Sequence, residues 1–170
     1  MFVVFLDVDG VLCTLRSHLA FHGKGGCWFE WDPTSCRLLR RLLDNYDGKI
    51  VVSSTWRHDH HTADLNYQMK KHELTPYLHE DWRTKDFKSG IRGEEIKDWL
   101  DRHLEIGNYL ILDDDTDFLK EQRPFWVGIE DGKEGFGAQH FMSACKILEE
   151  KYGLKDKTPP EETGTYTIDL

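Results

Sequence analysis

Two aspartates stand one residue apart, directly after an apolar run near the start of the sequence. The run extends from Phe2 to Leu6 and is followed by Asp7, Asp9 and Gly10 in the stretch FLDVDGVL. Five consecutive apolar residues are typical of a strand buried on both faces of a sheet. A turn after a strand also favours Asp and Gly, but this D-x-D-G pattern lies between two apolar segments. The pattern therefore favours a functional site.

A second acidic cluster follows the apolar run NYLIL and consists of Asp113, Asp114 and Asp115. Taken alone, it would fit a solvated helix start equally well. Carboxylates that meet at one site repel each other unless a cation offsets their charge. Oxygen ligands suit a hard ion, so the two clusters together predict a Mg²⁺ site. A calcium-binding loop is not favoured, because Phe118 stands where such a loop needs glycine.

Strands and helices alternate along the rest of the chain. Besides residues 2–6, the predicted strands are KIVVSS, NYLIL and PFWVGI, and the segment 75–91 is irregular with at most one short strand. Four helices are predicted. The first begins at Pro33 with Asp32 as its cap and ends at Gly48, and the second runs through HHTADLNYQMKKHEL with Asp59 as its cap. The third covers RGEEIKDWLDRHL, with Ile96, Trp99, Leu100 and Leu104 on one face, and the fourth covers AQHFMSACKILEEKY.

This alternation predicts an α/β protein with a parallel sheet covered on both sides. Ligands of such sheets bind beyond the carboxyl ends of the strands. Three predicted strands end in polar residues there: Asp7 and Asp9, Ser53 and Ser54, and Asp113 and Asp114. The chemistry is therefore expected at that edge.

Composition limits the class of protein and the kinds of partner that the sequence allows. The chain has 170 residues, 39% of them hydrophobic, and a formal net charge of −9, which argues against non-specific binding to nucleic acid. We expect one domain over residues 1–152 and a partly disordered tail over 153–170. No signal peptide or membrane span is predicted, and four cysteines without framework spacing favour the cytoplasm. A zinc site from Cys13, Cys27, His18 and His22 fits no usual spacing.

The stretches FLDVDGVL, VVSSTWR and YLILDDDTDFL resemble the first, second and fourth motifs of the haloacid dehalogenase (HAD) superfamily of phosphatases and phosphotransferases. The resemblance spans roughly residues 2–130. Within the superfamily, the short chain and the S-x-W-R and DD motifs look most like the HAD domains of "Swiss Army knife" RNA-repair proteins, which are related to polynucleotide 3′-phosphatases. The resemblance implies a three-layer Rossmann-like sheet with little or no cap domain.

The resemblance also implies roles for the first motif. Asp7 would be the nucleophile and a metal ligand. Asp9 would protonate the leaving group and activate water, while its backbone carbonyl binds the metal. Gly10 would let the chain turn beneath the phosphate.

For the remaining motifs, the resemblance implies that Asp113 and Asp114 complete the magnesium site. Ser54 would bind a phosphate oxygen, with Ser53 as the alternative. The family has a lysine in its third motif, whereas this chain has Arg92, with Lys88 and Lys97 nearby. Arginine binds phosphate through two donors, although a structural salt bridge is the alternative interpretation of Arg92.

Other residues leave two interpretations open. Trp28, Phe29 and Trp31 would either stack on a bulky substrate as a flap or close the core. Arg57 would be a substrate contact or a surface ion pair. The run HDHH at 58–61 fits a solvated helix start better than a metal site.

The sequence thus predicts a Mg²⁺-dependent phosphomonoester hydrolase that acts through an aspartyl-phosphate, with a nucleic-acid end as substrate. The alternatives are a phosphatase of small metabolites such as sugar phosphates or nucleotides, and a HAD-fold binding module with weak catalysis.

Overall fold

The computed structural model describes residues 1–21, 30–58, 61–130 and 132–157. Within them, five strands form one sheet in the order β3-β2-β1-β4-β5, and every neighbouring pair is parallel. The predicted parallel α/β fold is therefore confirmed. The strands are β1 (Phe2–Leu6), β2 (Gly48–Val52), β3 (Leu78–Arg83), β4 (Tyr109–Asp113) and β5 (Trp126–Gly128).

Helices cover both faces of the sheet. They are α1 (Leu15–Phe21), α2 (Pro33–Tyr46), α3 (Thr62–Lys71), α4 (Arg92–Arg102) and α5 (Ala138–Tyr152). On β1, Phe2, Val4 and Leu6 pack in one core cluster with residues of α2, α3 and α5. Val3 and Phe5 belong to the other cluster, which contains Ile96 and Trp99 of α4. This alternation explains why every residue of β1 is apolar, and it gives the three layers that were expected.

Short-range interactions determine both ends of helix α2. Asp32 accepts hydrogen bonds from the backbone N–H groups of Thr34 and Ser35, both at 2.9 Å, so it caps the helix as predicted. At the other end, Asp47 and not Gly48 takes the left-handed conformation, with φ 60°. Gly48 instead begins β2, because its backbone pairs with Phe2 of β1.

Several predicted elements differ from the structure. Helix α1 lies in a stretch for which no helix was predicted, whereas the short strand that the prediction allowed within the segment 75–91 is present as the six-residue strand β3. Helix α4 ends at Arg102, so Leu104 lies outside it and is 87% exposed. Helix α3 has His61 at its N-cap position, whereas the predicted cap Asp59 lies outside the described residues.

The beginning of the predicted tail is attached to the domain. Gly153 ends α5 in a left-handed conformation, and the Lys157 N–H donates to the carbonyl of Asn45 at 2.8 Å. Leu154 packs against the core. Residues 158–170 lie outside the described part. Among the helices that are described, none is long and apolar enough to span a membrane.

Candidate active site

The register of the sheet places three strand ends side by side. Leu6 of the central strand β1 pairs with Val52 of β2 and with Leu112 of β4. The residues that follow are therefore level with each other. The Asp7 N–H donates to the carbonyl of Leu112 at 3.0 Å, and the Ser53 N–H donates to the carbonyl of Leu6 at 3.0 Å. The carboxyl edge of the sheet thus brings the first, second and fourth motifs together.

Three carboxylates form a cluster at this edge. Asp7, Asp113 and Asp114 each offer an oxygen, and these oxygens lie within 4.8 Å of one another. Asp7 is buried, and its burial raises the pKa of the carboxyl; hydrogen bonds from Ser54 and Arg92 and the charge of Arg92 oppose this rise. Burial also raises the pKa of Asp114. These shifts express chiefly the cost of burying charged carboxylates, to which their mutual repulsion adds.

Asp113 is the most enclosed member of the cluster, with no exposed surface. Its Oδ1 accepts the Asp115 N–H at 2.9 Å, whereas its Oδ2 makes no hydrogen bond. Burial raises the pKa of the Asp113 carboxyl to about 7. A buried carboxylate oxygen without a hydrogen-bond donor is costly, so Oδ2 is available for a ligand.

Arg92 supplies the positive charge next to this cluster. It is the first residue of α4, and its backbone N–H donates to Asp117 Oδ2 at 2.9 Å. Its Nη1 lies 3.1 Å from Asp7 Oδ1, and its Nε lies 3.3 Å from Asp113 Oδ2. The second contact is an ion pair without hydrogen-bond geometry, so Asp113 Oδ2 still has no donor. Burial opposes the charge of Arg92, but Asp113 and Asp7 outweigh it and raise its pKa.

Gly10 turns the chain beneath the cluster. It has a φ of 73°, and its N–H donates to the carbonyl of Cys13 at 2.9 Å. A side chain here would collide with the carboxylate of Asp114. From the other side, the loop after β5 brings Gly132 close to Gly10: a Cβ added at Gly132 would lie 3.1 Å from the Gly10 Cα. Gly10 therefore requires glycine for both space and conformation, and Gly132 leaves little room for a larger residue.

The second motif contributes two serines with different environments. The Ser54 hydroxyl bonds to the Asp7 carboxylate and also accepts the Trp56 N–H at 3.4 Å. Ser53 is fully buried, and its hydroxyl has no hydrogen-bond partner among the described residues. Ser54 is thus the serine that contacts the predicted nucleophile.

Trp56 is a site residue to which the sequence interpretation assigned no role. Its indole Nε1 lies 3.1 Å and 3.0 Å from the two carboxylate oxygens of Asp9. Trp56 is buried, and its ring contacts Trp31 edge-on and stacks on His61. The signal in the sequence was the tryptophan of the S-x-W-R motif. Because Asp9 is held by this indole, its carboxylate lies outside the three-carboxylate cluster.

Other predicted candidates do not join the site. Lys97 is exposed and pairs with Asp101 at 2.7 Å on the surface of α4, and Lys88 is exposed before that helix. Trp31 is fully buried, which confirms the core interpretation for this residue. The remaining candidates Cys27, His22, Trp28, Phe29, Asp59 and His60 lie outside the described residues.

Arg57 is an ion-pair residue, but a buried one. It is 6% exposed, and its Nη2 lies 2.8 Å from Glu95 Oε2 and 2.5 Å from Asp86 Oδ1. Its Nη1 donates to the carbonyl of Ser54 at 2.7 Å. Arg57 therefore ties the second motif to helix α4, on which Arg92 lies.

The carboxylate cluster fits a divalent metal ion. Asp7, Asp113 and Asp114 present only oxygen donors, which Mg²⁺ prefers, and Asp113 Oδ2 lacks a hydrogen-bond donor. No other group of three or more acidic, histidine or cysteine side chains with this spacing occurs among the residues that the structure describes.

The fold and the site together define a class of α/β proteins with a polar site at the carboxyl edge of a parallel sheet. The family model described as the HAD domain in Swiss Army Knife RNA repair proteins matches residues 3–141, and the chain belongs to this family. The predicted resemblance is thus confirmed, and membership indicates a phosphatase-type hydrolase. No significant match was found among curated proteins or among solved structures.

Proposed function

We propose that this chain is a Mg²⁺-dependent phosphomonoester hydrolase that acts through an aspartyl-phosphate at Asp7. One observation carries the proposal: Arg92 Nη1 lies 3.1 Å from Asp7 Oδ1, inside a cluster that Asp7 forms with Asp113 and Asp114. A nucleophile, a cation for phosphate and candidate metal ligands therefore meet at one point. Asp7 is also held by Ser54, which fixes the orientation of its carboxylate.

The residues divide the reaction between them. An Asp7 carboxylate oxygen attacks phosphorus, and the ester P–O bond breaks as Asp9 gives its proton to the leaving oxygen. Water then attacks the phosphorus of the aspartyl-phosphate and gives a proton to Asp9. The products are an alcohol, inorganic phosphate and the original Asp7. Ser54 and Arg92 bind the phosphate oxygens, and Gly10 leaves room for the Asp114 carboxylate.

Asp7, Asp113, Asp114 and the backbone carbonyl of Asp9 would hold Mg²⁺. When bound, the ion offsets the charge of the carboxylates and of the phosphate, so that an anionic nucleophile can approach an anionic substrate. A bound cation would also offset part of the cost of burying the Asp7 and Asp113 carboxylates, whose pKa values burial raises.

For the substrate, we propose the phosphorylated end of a nucleic acid. The family description, which names RNA repair, supports this choice. The alternative is a small phosphorylated metabolite, which the net charge of −9 favours because an acidic surface repels a polyanion. The third possibility is a binding module with weak turnover, suggested by the missing third-motif lysine. The position of Arg92 beside Asp7 argues against it, because a cation stands where the reaction needs one.

Hydrolysis of p-nitrophenyl phosphate with and without Mg²⁺ tests the reaction. We expect turnover by the wild type that EDTA abolishes, and a loss of at least about 1000-fold in Asp7→Asn, because the nucleophile is removed. Equal activity of both proteins would exclude Asp7 as nucleophile. If the wild type hydrolyses none of a panel of phosphate esters, the binding-module alternative is favoured.

A thermal-shift titration tests the metal site without relying on activity. We expect Mg²⁺ to raise the Tm of the wild type, because a ligand that binds only the folded state stabilises it. Asp113→Asn should lose this shift. The control Asp101→Asn, at an exposed carboxylate that pairs with Lys97, should retain it. A shift of equal size in Asp113→Asn would contradict the assignment.

A further inference from the structure

Two neighbouring cavities lie beside the candidate active site. The nearer one has a volume of about 320 Å³ and is lined by residues that include Arg92, Thr55 and Phe87. The farther one has a volume of about 460 Å³ and is lined by residues that include Arg83, Thr84 and Lys85. Both share Arg57, His58 and Asp86 in their walls. Together they form a groove that begins at Arg92, the residue that pairs with Asp7. We call it the Arg83–Arg92 groove.

Two buried polar atoms in the wall of this groove have no hydrogen-bond partner. They are Oγ1 of Thr84, a residue that is 3% exposed, and Nε of Arg57, a residue that is 6% exposed. Buried polar groups in folded proteins are nearly always paired, so two such atoms in one wall point to a missing ligand. Nε of Arg57 can only donate, and the Thr84 hydroxyl can donate as well. The missing ligand therefore carries acceptor oxygens.

The charges in the groove favour an anion. In the farther cavity, the described lining cations Arg57, Arg83 and Lys85 outnumber the acids Asp81 and Asp86, although the whole chain carries a net charge of −9. The acids also have cationic partners. Arg57 pairs with Glu95 and Asp86, and Arg102 Nη1 lies 2.6 Å from Asp81 Oδ2.

Lys85 is the cation in the groove with the weakest described ion pair. Its Nζ lies 4.0 Å from Asp98 Oδ2, and its side chain is 62% exposed. Arg83 lies beside it, where its Nη1 donates to the carbonyl of Arg57 at 3.0 Å and its guanidinium lies over the Trp82 ring. These contacts orient Arg83 along the wall of the groove.

We propose that the farther cavity of the Arg83–Arg92 groove is a second anion subsite, which binds another phosphate of the substrate whose terminal phosphate reacts at Asp7. This inference rests on the proposed function and narrows it to substrates with at least two phosphates. The second phosphate is either the diester of a nucleotide chain or the second monoester of a small bisphosphate. Arg83, Lys85 and the Thr84 hydroxyl are its specificity-determining contacts, and the nearer cavity holds the part of the substrate between the two phosphates.

Kinetics with three substrates test the subsite: p-nitrophenyl phosphate with one phosphate, thymidine 3′,5′-bisphosphate with two monoesters, and a thymidine dinucleotide with one terminal phosphate. In Lys85→Gln and in Thr84→Val we expect KM for a two-phosphate substrate to rise about five-fold, because a charged or hydroxyl contact to phosphate is lost. The values for p-nitrophenyl phosphate should not change. Lys97→Gln is the matched control, since Lys97 is also exposed and paired with a carboxylate but lies outside the groove.

The pattern across substrates identifies the source of the second phosphate. A rise for the dinucleotide alone indicates a phosphodiester, and a rise for the bisphosphate alone indicates a small bisphosphate; either result supports the subsite. Equal changes for all three substrates, or no difference between Lys85→Gln and Lys97→Gln, would overturn it. If the wild type hydrolyses none of the three substrates, the proposed function fails. Calorimetric binding of thymidine 3′,5′-bisphosphate then tests whether the groove is an anion subsite. A Kd raised about five-fold in Lys85→Gln but not in Lys97→Gln supports the subsite, whereas no binding or no difference refutes it.

Discussion

The indole N–H of Trp56 lies 3.0 Å from one carboxylate oxygen of Asp9 and 3.1 Å from the other. A buried ring thus holds an exposed acid whose proposed role is proton transfer. Trp56 itself is positioned by its stacking on His61 and its edge contact with Trp31. We regard Trp56 as a positioning residue, because it acts through Asp9.

Trp56→Phe should therefore lower kcat roughly ten-fold and leave KM nearly unchanged, because general acid–base catalysis depends on the placement of the acid. Steady-state kinetics of phosphomonoester hydrolysis give the two parameters separately. Trp99→Phe is the control. Its indole donates to the carbonyl of Asp81 at 2.9 Å, and the substitution should lower stability without lowering kcat. An unchanged kcat in Trp56→Phe would show that Trp56 only fills space.

Arg92→Gln should lower kcat/KM about 100-fold, because the charge beside Asp7 and Asp113 is lost where negative charge builds up in the reaction. Arg92→Lys should recover part of this loss, since a lysine keeps the charge but not the two-point geometry. Lys97→Gln should behave like the wild type. If Lys97→Gln were the more damaging change, the cation of the site would have been assigned to the wrong residue. Steady-state kinetics with p-nitrophenyl phosphate provide the measurement.

Gly10→Ala should abolish Mg²⁺-dependent stabilisation and activity, because a methyl group would occupy the space of the Asp114 carboxylate. Gly153→Ala is the matched control. Gly153 has a φ of 65°, close to the 73° of Gly10, but no atom lies within 4 Å of an added Cβ. The control isolates the backbone cost of about 1–2 kcal/mol that both positions share. Equal losses of Tm and of the Mg²⁺ shift in both variants would mean that only backbone strain matters.

His140 should make the stability of the protein depend on pH. Burial lowers the pKa of His140 from its ordinary value of 6.5, although the charge of Glu130 opposes the shift. Its Nδ1 accepts the Gly137 N–H at 3.0 Å, a contact that protonation at this nitrogen removes. At this position the unfolded chain therefore binds a proton more readily than the folded one, so the contribution of His140 to the free energy of unfolding decreases as the pH falls below about 6.5.

Urea denaturation between pH 7.5 and pH 5 measures this effect. In His140→Gln, the free energy of unfolding should change less favourably for the unfolded state on acidification than in the wild type, because one group with a lowered pKa is gone. His72 also has a lowered pKa, whereas the raised pKa of Asp113 acts in the opposite direction, and both contributions are common to the two proteins. The difference between the two proteins therefore reports His140, and an identical slope in both would contradict the assignment.

The local sequence was sufficient to predict most of the helices and strands. The all-apolar run of β1, the Asp32 cap and the helical spacing of α2 and α5 are short-range signals, and each is confirmed. The weaker short-range signals gave less: no helix was predicted at α1, where only Ser17 is buried, and the short strand within 75–91 was predicted without bounds, since β3 has an irregular burial pattern. Neither element carries the regular alternation of apolar and polar residues on which such predictions rest.

For the site, the sequence determined which strand ends carry the polar side chains, because the carboxyl ends of parallel strands meet at one edge. Asp7, Ser54, Asp113 and Asp114 are therefore candidates on the strength of their positions in the sequence. Only the tertiary structure decided which side chains actually touch. The contact of Trp56 with Asp9 joins residues 47 positions apart, and that of Arg92 with Asp7 joins residues 85 apart. Such pairs depend on how helix α4 and the second motif pack against the sheet, and packing is set by the whole chain and not by local spacing.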